Sequence, residues 1–141
     1  MLFKWGPVLR TILSPCYGKR ALIEPSASDL QKLREKDDRR PFVLVQLLRF
    51  VEGGRDAYVR YSAAALPLLR PLGAQLLYAG QCIEPLGDPS QAWDAIVVVR
   101  YPTRSAYLRM LEDPAFTAIA PQRRAALRDA VYMIMDDWPG R

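Results

Sequence analysis

The chain has 141 residues, half of them hydrophobic, and a formal net charge of +5. This size and composition suit one domain with its own core. There is no histidine and no asparagine, which excludes imidazole zinc sites, histidine-ligated haem and a Ser-His-Asp triad. Four basic residues and no acidic residue fall in the first twenty positions. The rest of the chain is therefore almost neutral, which gives nucleic-acid binding little support.

Residues 1–20 are predicted to form an N-terminal arm, followed by a single domain over residues 21–141. Gly6, Pro7 and Arg10 interrupt the apolar stretch of the arm. It is therefore too short and too broken for a membrane span or a targeting peptide. Three interpretations stay open for the arm: a disordered tail, a weak membrane-surface segment, or a segment that docks on a partner subunit.

The first elements predicted in the domain are a short helix and a strand. Ser26 or Ser28 can cap the helix that begins in "EPSASDLQKL", and Pro41 ends it. Residues 41–50, "PFVLVQLLRF", are predicted to form a strand because β-branched and aromatic residues are frequent there. A Gly-Gly pair follows and ends this strand.

A second helix and a second strand come next. The stretch "RDAYVRYSAAALPLLRPLG" has helical spacing, and Pro67 is expected to kink or break that helix. Gly73 is a suitable helix stop. The stretch "AQLLYAGQCIEP" is predicted to be a strand in which Gly80 marks a bulge or a close approach of another group.

The C-terminal half repeats the alternation of strand and helix. The run "AWDAIVVVRYP" is predicted to be the third strand, and Thr103 or Ser105 can cap the helix "RSAYLRMLED" after it. Another helix is predicted over "AFTAIAPQRRAALRDA", and residues 131–135, "VYMIM", are predicted to be the last strand. This order predicts an α+β fold, a ferredoxin-like split β-α-β sandwich with an extra N-terminal helix.

The alternation of side chains in the third strand separates two faces of the predicted sheet. The side expected under the helices holds Trp93, Ala95, Val97, Val99 and Tyr101, and the other side holds Asp94, Ile96, Val98 and Arg100. Because the strands are apolar on both faces and helices cover only one face, the other face needs a partner. We therefore expect a homodimer in which two sheets pack face to face and close a dimeric α+β barrel.

Several stretches of the chain resemble a known bacterial family. They are "IEPSASDLQKL", "VLVQLLRF", "AYVRY", "LGAQLLYAG", "WDAIVVVRYPTRSAYLRMLEDPAF" and "QRRAAL", and they span about residues 23–136. In this order and spacing they are similar to the domain of unknown function 1330 family, in the dimeric α+β barrel superfamily. The resemblance implies that fold and a dimer, and it leaves the activity open.

The superfamily named by this resemblance has varied activities. Its members include cofactor-free monooxygenases, haem-degrading enzymes, chlorite dismutases, lactone isomerases, polyketide cyclases and stress proteins. Its haem-degrading and quinone-forming members depend on Asn, Trp and sometimes His, and this chain offers only Trp93. Longer members of the family tend to carry "LNLLRF" in the first strand, with Asn where this chain has Gln46. These departures count against both of those activities.

The candidate site residues are expected to line a pocket facing the space between the subunits. Arg100 would pair with a carboxylate or an enolate, and Gln46 would orient a carbonyl. Asp94 and Tyr61 are the candidate catalytic residues, since a carboxylate or a phenol can move a proton. Trp93 would form a wall of the pocket. The remaining candidate substrate-binding residues are Tyr58, Tyr78 and Arg123.

Most of these candidates also have a structural interpretation. Arg100 and Asp94 can form an ion pair across the sheet, and Trp93 can be a packing anchor. The helix tyrosines can be core aromatics, and Arg123 can cap the last helix or pair with an acid that ends the preceding helix. Gln46 has no such interpretation, because nothing local explains an amide in the middle of an apolar strand.

The sequence therefore predicts a small-molecule-binding α+β barrel protein of the cytoplasm, with neither metal nor other cofactor. One hypothesis is a cofactor-independent enzyme, of isomerase or monooxygenase type, that acts on a small organic acid or aromatic compound. The alternative is a non-catalytic dimeric module for ligand binding or stress response. The expected partner is a second copy of the chain. Cys16 and Cys82 are expected to be free thiols rather than a disulfide.

Overall fold

The computed structural model describes residues 23–138, in which a four-stranded antiparallel sheet carries helices on one face. The predicted arm and Cys16 lie outside the described residues. The elements in chain order are α1 (Ala27–Glu35), β1 (Phe42–Phe50), α2 (Gly54–Leu69), a 3₁₀ turn (Arg70–Leu72), β2 (Gln75–Gln81), a 3₁₀ turn (Pro89–Gln91), β3 (Ala95–Tyr101), α3 (Arg104–Glu112), α4 (Pro114–Ala126) and β4 (Leu127–Met135). The strand order β2-β3-β1-β4 confirms the predicted ferredoxin-like α+β fold.

The helices begin where the sequence predicts. Ser26 caps α1 in a capping box, in which its hydroxyl accepts from the Asp29 N–H and the Asp29 carboxylate accepts from the Ser26 N–H. Thr103 caps α3 by accepting from the Ala106 N–H. The α2 helix runs through Pro67 without a break. No helix within residues 23–138 is long and apolar enough to cross a membrane.

The core lies between the even-numbered side chains of β1 and the helices. Leu44 joins one apolar cluster, which contains Tyr101 of β3 and residues of α1 and α3. Leu48, which is 0 % exposed, joins a second cluster with Tyr58 and Tyr61 of α2. Gln46 is the next residue on the same face, midway between Leu44 and Leu48.

The boundary between α4 and β4 differs from the prediction. The sequence predicts helix through Ala130, whereas α4 ends at Ala126 and β4 begins at Leu127. Leu127 pairs with Phe50 of β1, and Ala130 pairs with Leu48. The pairing buries both residues, and this burial outweighs the local helix preference of an alanine-rich stretch.

The start of β3 also differs, and the position of Trp93 changes with it. The strand begins at Ala95, so the alternation that placed Trp93 under the helices does not reach it. The Trp93 ring instead packs on the Arg49 guanidinium, with Arg49 Cζ 4.1 Å from the ring centroid. Arg49 pairs with Asp129 on the face of the sheet away from the helices. The predicted position of Trp93 is therefore wrong.

Gly80 of β2 lies close to another group, as predicted. The Tyr78 ring covers it, and a Cβ at this position would overlap the ring. The bulge of this strand lies between Leu76 and Tyr78 rather than at Gly80.

The face of the sheet away from the helices, called here the open face, is apolar along its centre. Its apolar residues are Val43, Val45 and Leu47 of β1, Ile96 and Val98 of β3, and Val131, Met133 and Met135 of β4. All four helices of residues 23–138 pack on the opposite face. A solvent-exposed apolar surface of this kind is typical of an interaction site.

Candidate functional site

Two adjoining pockets lie between the sheet and the helices. The first, called the Arg123 pocket, has a volume of about 230 Å3 and also borders the segment before α1. The second, called the Tyr58 pocket, has a volume of about 130 Å3 and lies under α2. The side chains that line both pockets are Gln46, Tyr61, Met110 and Phe116.

Gln46 faces both pockets from the middle of β1. It pairs with Val97 of β3 and Tyr132 of β4, so its side chain lies at the centre of the sheet. No side-chain hydrogen bond joins its amide to any residue of the described range. The unexplained amide of the sequence is therefore a polar group available to a molecule in the pockets.

Arg123 of α4 is a buried cation, only 5 % exposed. Its Nη1 donates to the Ile23 carbonyl at 2.8 Å, and its guanidinium lies 5.2 Å from the Tyr132 ring centroid. Its Nη2 has no hydrogen-bond partner among the described residues. The alternative that Arg123 caps the helix or pairs with an acid that ends α3 is wrong, because the side chain turns into the core.

The tyrosines of the site are held in their neutral form. Burial raises the pKa of Tyr58 and of Tyr61, and the nearby positive charge of Arg123 opposes this only in part. Burial raises the pKa of Tyr132 in the same way. These phenols therefore stay protonated near neutral pH and act as hydrogen-bond donors. Tyr61, a candidate catalytic residue, is suited to donate a hydrogen bond rather than to act as a base.

Asp94 lines neither pocket. Its carboxylate instead forms a hydrogen bond within the sheet. It accepts from the Phe50 N–H at 2.8 Å, while the Asp94 N–H donates to the Leu48 carbonyl at 2.9 Å. The Cys82 N–H donates to the Asp94 carbonyl at 2.8 Å. The residue thus joins β1, β3 and the end of β2 just before β3 begins.

Arg100 lies on the open face, where it pairs in register with Val43 and Gln75. Gln46 lies on the helix face, so the expected pocket shared by Gln46 and Arg100 is wrong. The alternation of β3 was predicted correctly over Ala95–Tyr101, but the pocket was assigned to the other side of the sheet. No salt bridge joins Arg100 to Asp94 in the described part of the chain, so the suggested ion pair is absent there as well.

Tyr78 and Trp93 also lie away from the pockets. Tyr78 is 58 % exposed and lies on the open face, and Trp93 packs on Arg49. The structure therefore brings four of the eight candidates together between sheet and helices: Gln46, Tyr58, Tyr61 and Arg123.

Tyr132 is the main site residue that sequence reasoning missed. Its hydroxyl donates to the Ile23 carbonyl, the same oxygen that Arg123 Nη1 contacts. The signal was its place in "VYMIM", since strand alternation puts it on the face of Ala130. Placing Tyr132 beside Gln46 also required the correct register between β4 and β1. Tyr107 and Phe116, also missed, line the pockets from the helices.

The described residues offer no evident metal site. Within residues 23–138, no three Cys, Asp or Glu side chains gather closely enough to hold a metal ion. Cys82 is an exposed thiol just after β2. The expectation that the protein needs no cofactor stays a prediction.

Replacement of Asp94 is expected to reduce stability. Asp94→Ala leaves the part-buried Phe50 N–H without its acceptor, and we expect a loss of about 1–2 kcal/mol in the free energy of unfolding. Asp94→Asn keeps an oxygen acceptor and should lose less. Urea denaturation of the three proteins measures both values. Equal stability of the Ala variant and the wild type would contradict the structural role.

The chain is similar to a family defined by sequence. A model of the domain of unknown function 1330 family matches residues 51–137. The match begins just after β1 and includes α2 through β4. No protein of curated function matches the chain.

Solved structures similar to the chain share its fold. A protein of unknown function from Rhodopseudomonas palustris is 23% identical, with a TM-score of 0.72, over 82% of this chain and 95% of that chain. A NIPSNAP family protein of unknown function from Agrobacterium tumefaciens is 16% identical, with a TM-score of 0.54, over 70% of this chain and 88% of that one. A protein from Bacteroides fragilis, described as dimeric and ferredoxin-like, is 10% identical, with a TM-score of 0.50, over 69% of this chain and 96% of that one. At these identities the likeness shows the fold alone.

Proposed function

Since the chain belongs to the domain of unknown function 1330 family, whose description names no activity, we propose a function from its pockets. The protein binds a small organic molecule between the sheet and the helices. The observation that carries this proposal is the Gln46 amide, which lies without a described partner between two apolar clusters and faces both pockets. The side chain of Gln46 is partly buried, and its amide can both donate to and accept from a molecule in the pockets.

The lining of the pockets supports binding of a small, partly apolar molecule. Binding sites are typically apolar cavities with a few polar groups that orient the ligand. Here Met110, Phe116 and Val97 form apolar walls, and the polar groups are the Gln46 amide and the neutral phenols. Volumes of about 230 and 130 Å3 suit a molecule with a single ring or a short chain.

A filled pocket tests this function. Ala65 lines the Tyr58 pocket, whereas Ala64, its neighbour on α2, is exposed. A screen of small organic compounds by ligand-observed NMR should yield ligands that raise the melting temperature of the wild type. Ala65→Leu should abolish this rise for ligands that reach the Tyr58 pocket, and Ala64→Leu should retain it. Ligands that bind all three proteins equally would place binding elsewhere and contradict the proposal.

Binding without catalysis is the form of this function that the lining favours. Proton abstraction needs a base near the bound molecule. The acidic residue among the described lining residues is Glu24, whose carboxylate pairs with Arg124 at 3.1 Å. The phenols remain protonated for the reason given above. An isomerase or monooxygenase reaction stays a hypothesis, and turnover of a ligand found in the screen would favour it.

The same proposal includes a homodimer. The open face exposes apolar side chains from three strands, and a second copy of that face is a self-complementary cover for it. The Bacteroides fragilis protein of the same fold is described as dimeric. Two sheets packed face to face would form the closed α+β barrel predicted from the sequence.

A further inference from the structure

Arg123 is a buried charge whose partners in the described structure are neutral. It is 5 % exposed, and no carboxylate within residues 23–138 forms a salt bridge with it. Its Nη1 donates to the Ile23 carbonyl, and the neutral phenols of Tyr58, Tyr61 and Tyr132 lie around it. Its neighbour Arg124, which is half exposed, forms the salt bridge with Glu24. Among residues 23–138, the buried arginine is therefore left without a counterion.

An uncompensated buried charge is costly. Removing a guanidinium from water costs several kcal/mol, and hydrogen bonds to neutral groups recover only part of that cost. Arg123 Nη2 has lost its water and has no acceptor among the described residues. Arg123 lines the Arg123 pocket, and an anion bound there would compensate this charge.

The groups around Arg123 fit one class of anion. Arg123 Nη1 and the Tyr132 hydroxyl already donate to the Ile23 carbonyl at this end of the Arg123 pocket, so a ligand there depends on other donors. Tyr61 and Gln46 line the same pocket and supply further donors. Beyond them lies the mainly apolar Tyr58 pocket. The arrangement has a cationic end for a planar anion and an apolar end for a ring or short chain.

We infer that the ligand of the proposed pocket is a small monocarboxylic acid and that Arg123 binds its carboxylate. This inference rests on the proposed function and adds the chemical class of the ligand. One carboxylate oxygen accepts from the Arg123 guanidinium and the other accepts from a phenol of the pocket. The apolar part of the acid extends past Gln46 toward the Tyr58 pocket.

Matched acids and amides test the inference. Benzoate, phenylacetate and hexanoate, each with its primary amide, are titrated by calorimetry or ligand-observed NMR into wild type, Arg123→Gln and Arg128→Gln. Arg128 is exposed and lines neither pocket. Arg128→Gln therefore removes one positive charge, as Arg123→Gln does, without changing the lining of the pockets. We expect the wild type and Arg128→Gln to bind the acids about tenfold or more tighter than the amides. Arg123→Gln should lose this preference and still bind the amides.

The outcomes separate the two proposals. Equal binding of acids and amides by the wild type would overturn the carboxylate class and leave the proposed function standing. Retained preference in Arg123→Gln would overturn the role of Arg123. Binding of no acid and no amide by the wild type would overturn both proposals for ligands of this size.

A spectroscopic readout decides the question if Arg123→Gln does not fold. In wild-type protein with ¹⁵N-labelled arginine, the Nε signal of Arg123 is assigned by its absence from an Arg123→Lys variant. Addition of the bound acid should shift that signal more than the signal of Arg128. An unchanged Arg123 signal at saturation would overturn the inference.

Discussion

Val45→Asp is expected to convert the proposed homodimer into a folded monomer. Val45 lies at the centre of the open face, where it pairs with Val98 of β3 on one side and Met133 of β4 on the other. A face-to-face dimer would bury this position in both subunits. A buried, unpaired carboxylate costs several kcal/mol, and about 4 kcal/mol corresponds to a ~1000-fold weaker dimer. Twofold symmetry introduces the substitution twice in each dimer.

The fold of the variant subunit should survive. In an isolated subunit the introduced carboxylate would face water, and an unfavourable strand residue costs at most about 1 kcal/mol. Val59→Asp is the matched control, because Val59 is 54% exposed on α2 and belongs to the helix layer. Sedimentation velocity at micromolar concentration should show a dimer for wild type and Val59→Asp and a monomer for Val45→Asp. A monomeric wild type, or a dimeric Val45→Asp, would refute the proposed interface.

Gly54→Ala is expected to lower the free energy of unfolding by about 2–3 kcal/mol. Gly54 is the first residue of α2, and a Cβ there would overlap the Ala126 carbonyl oxygen and lie 3.0 Å from Val51 Cγ2. The Ala126 oxygen also accepts from the Val51 N–H at 3.0 Å. Because this obstacle is backbone, held at the junction of α4 and β4, it cannot rotate away as a side chain can.

Two effects of opposite sign decide this result. Alanine favours helix over glycine by about 1 kcal/mol in a helix interior, but Gly54 stands at the helix start, where the gain is smaller. The overlap with a backbone carbonyl therefore outweighs the gain in helix propensity. Gly53→Asn is the control, since Gly53 has φ +71° with open space around its Cβ position, and asparagine tolerates that conformation. Chemical denaturation should show a clear loss for Gly54→Ala alone, and a more stable Gly54→Ala would contradict the close packing of α2 against α4.

Local patterns predicted the elements of this fold well. Ser26 and Thr103 were each one of two candidate caps, because a capping hydroxyl acts on N–H groups two or three residues away. The strands were recognised from β-branched runs with the correct alternation. The error at residues 127–130 arose where pairing with β1, more than seventy residues earlier in the chain, overrides the helix preference of nearby alanines.

The site was predicted in part, and for a physical reason. Gln46 was detected because a polar group in an apolar strand is unusual in any context. Arg100 and Arg123 could not be ranked, since each is one arginine among several in the chain. Their difference in burial depends on which face of the sheet the helices cover and on how α4 lies against β4.

The sequence by itself determined the alternation of helices and strands, the ferredoxin-like order and the two-sided apolar sheet, because these follow from propensities and periodicities within short segments. Only the tertiary structure decided that the pockets lie beneath the helices and that Gln46, Tyr61, Arg123 and Tyr132 line them together. These residues are far apart in the chain, and their meeting depends on strand register and helix packing, which no short segment encodes.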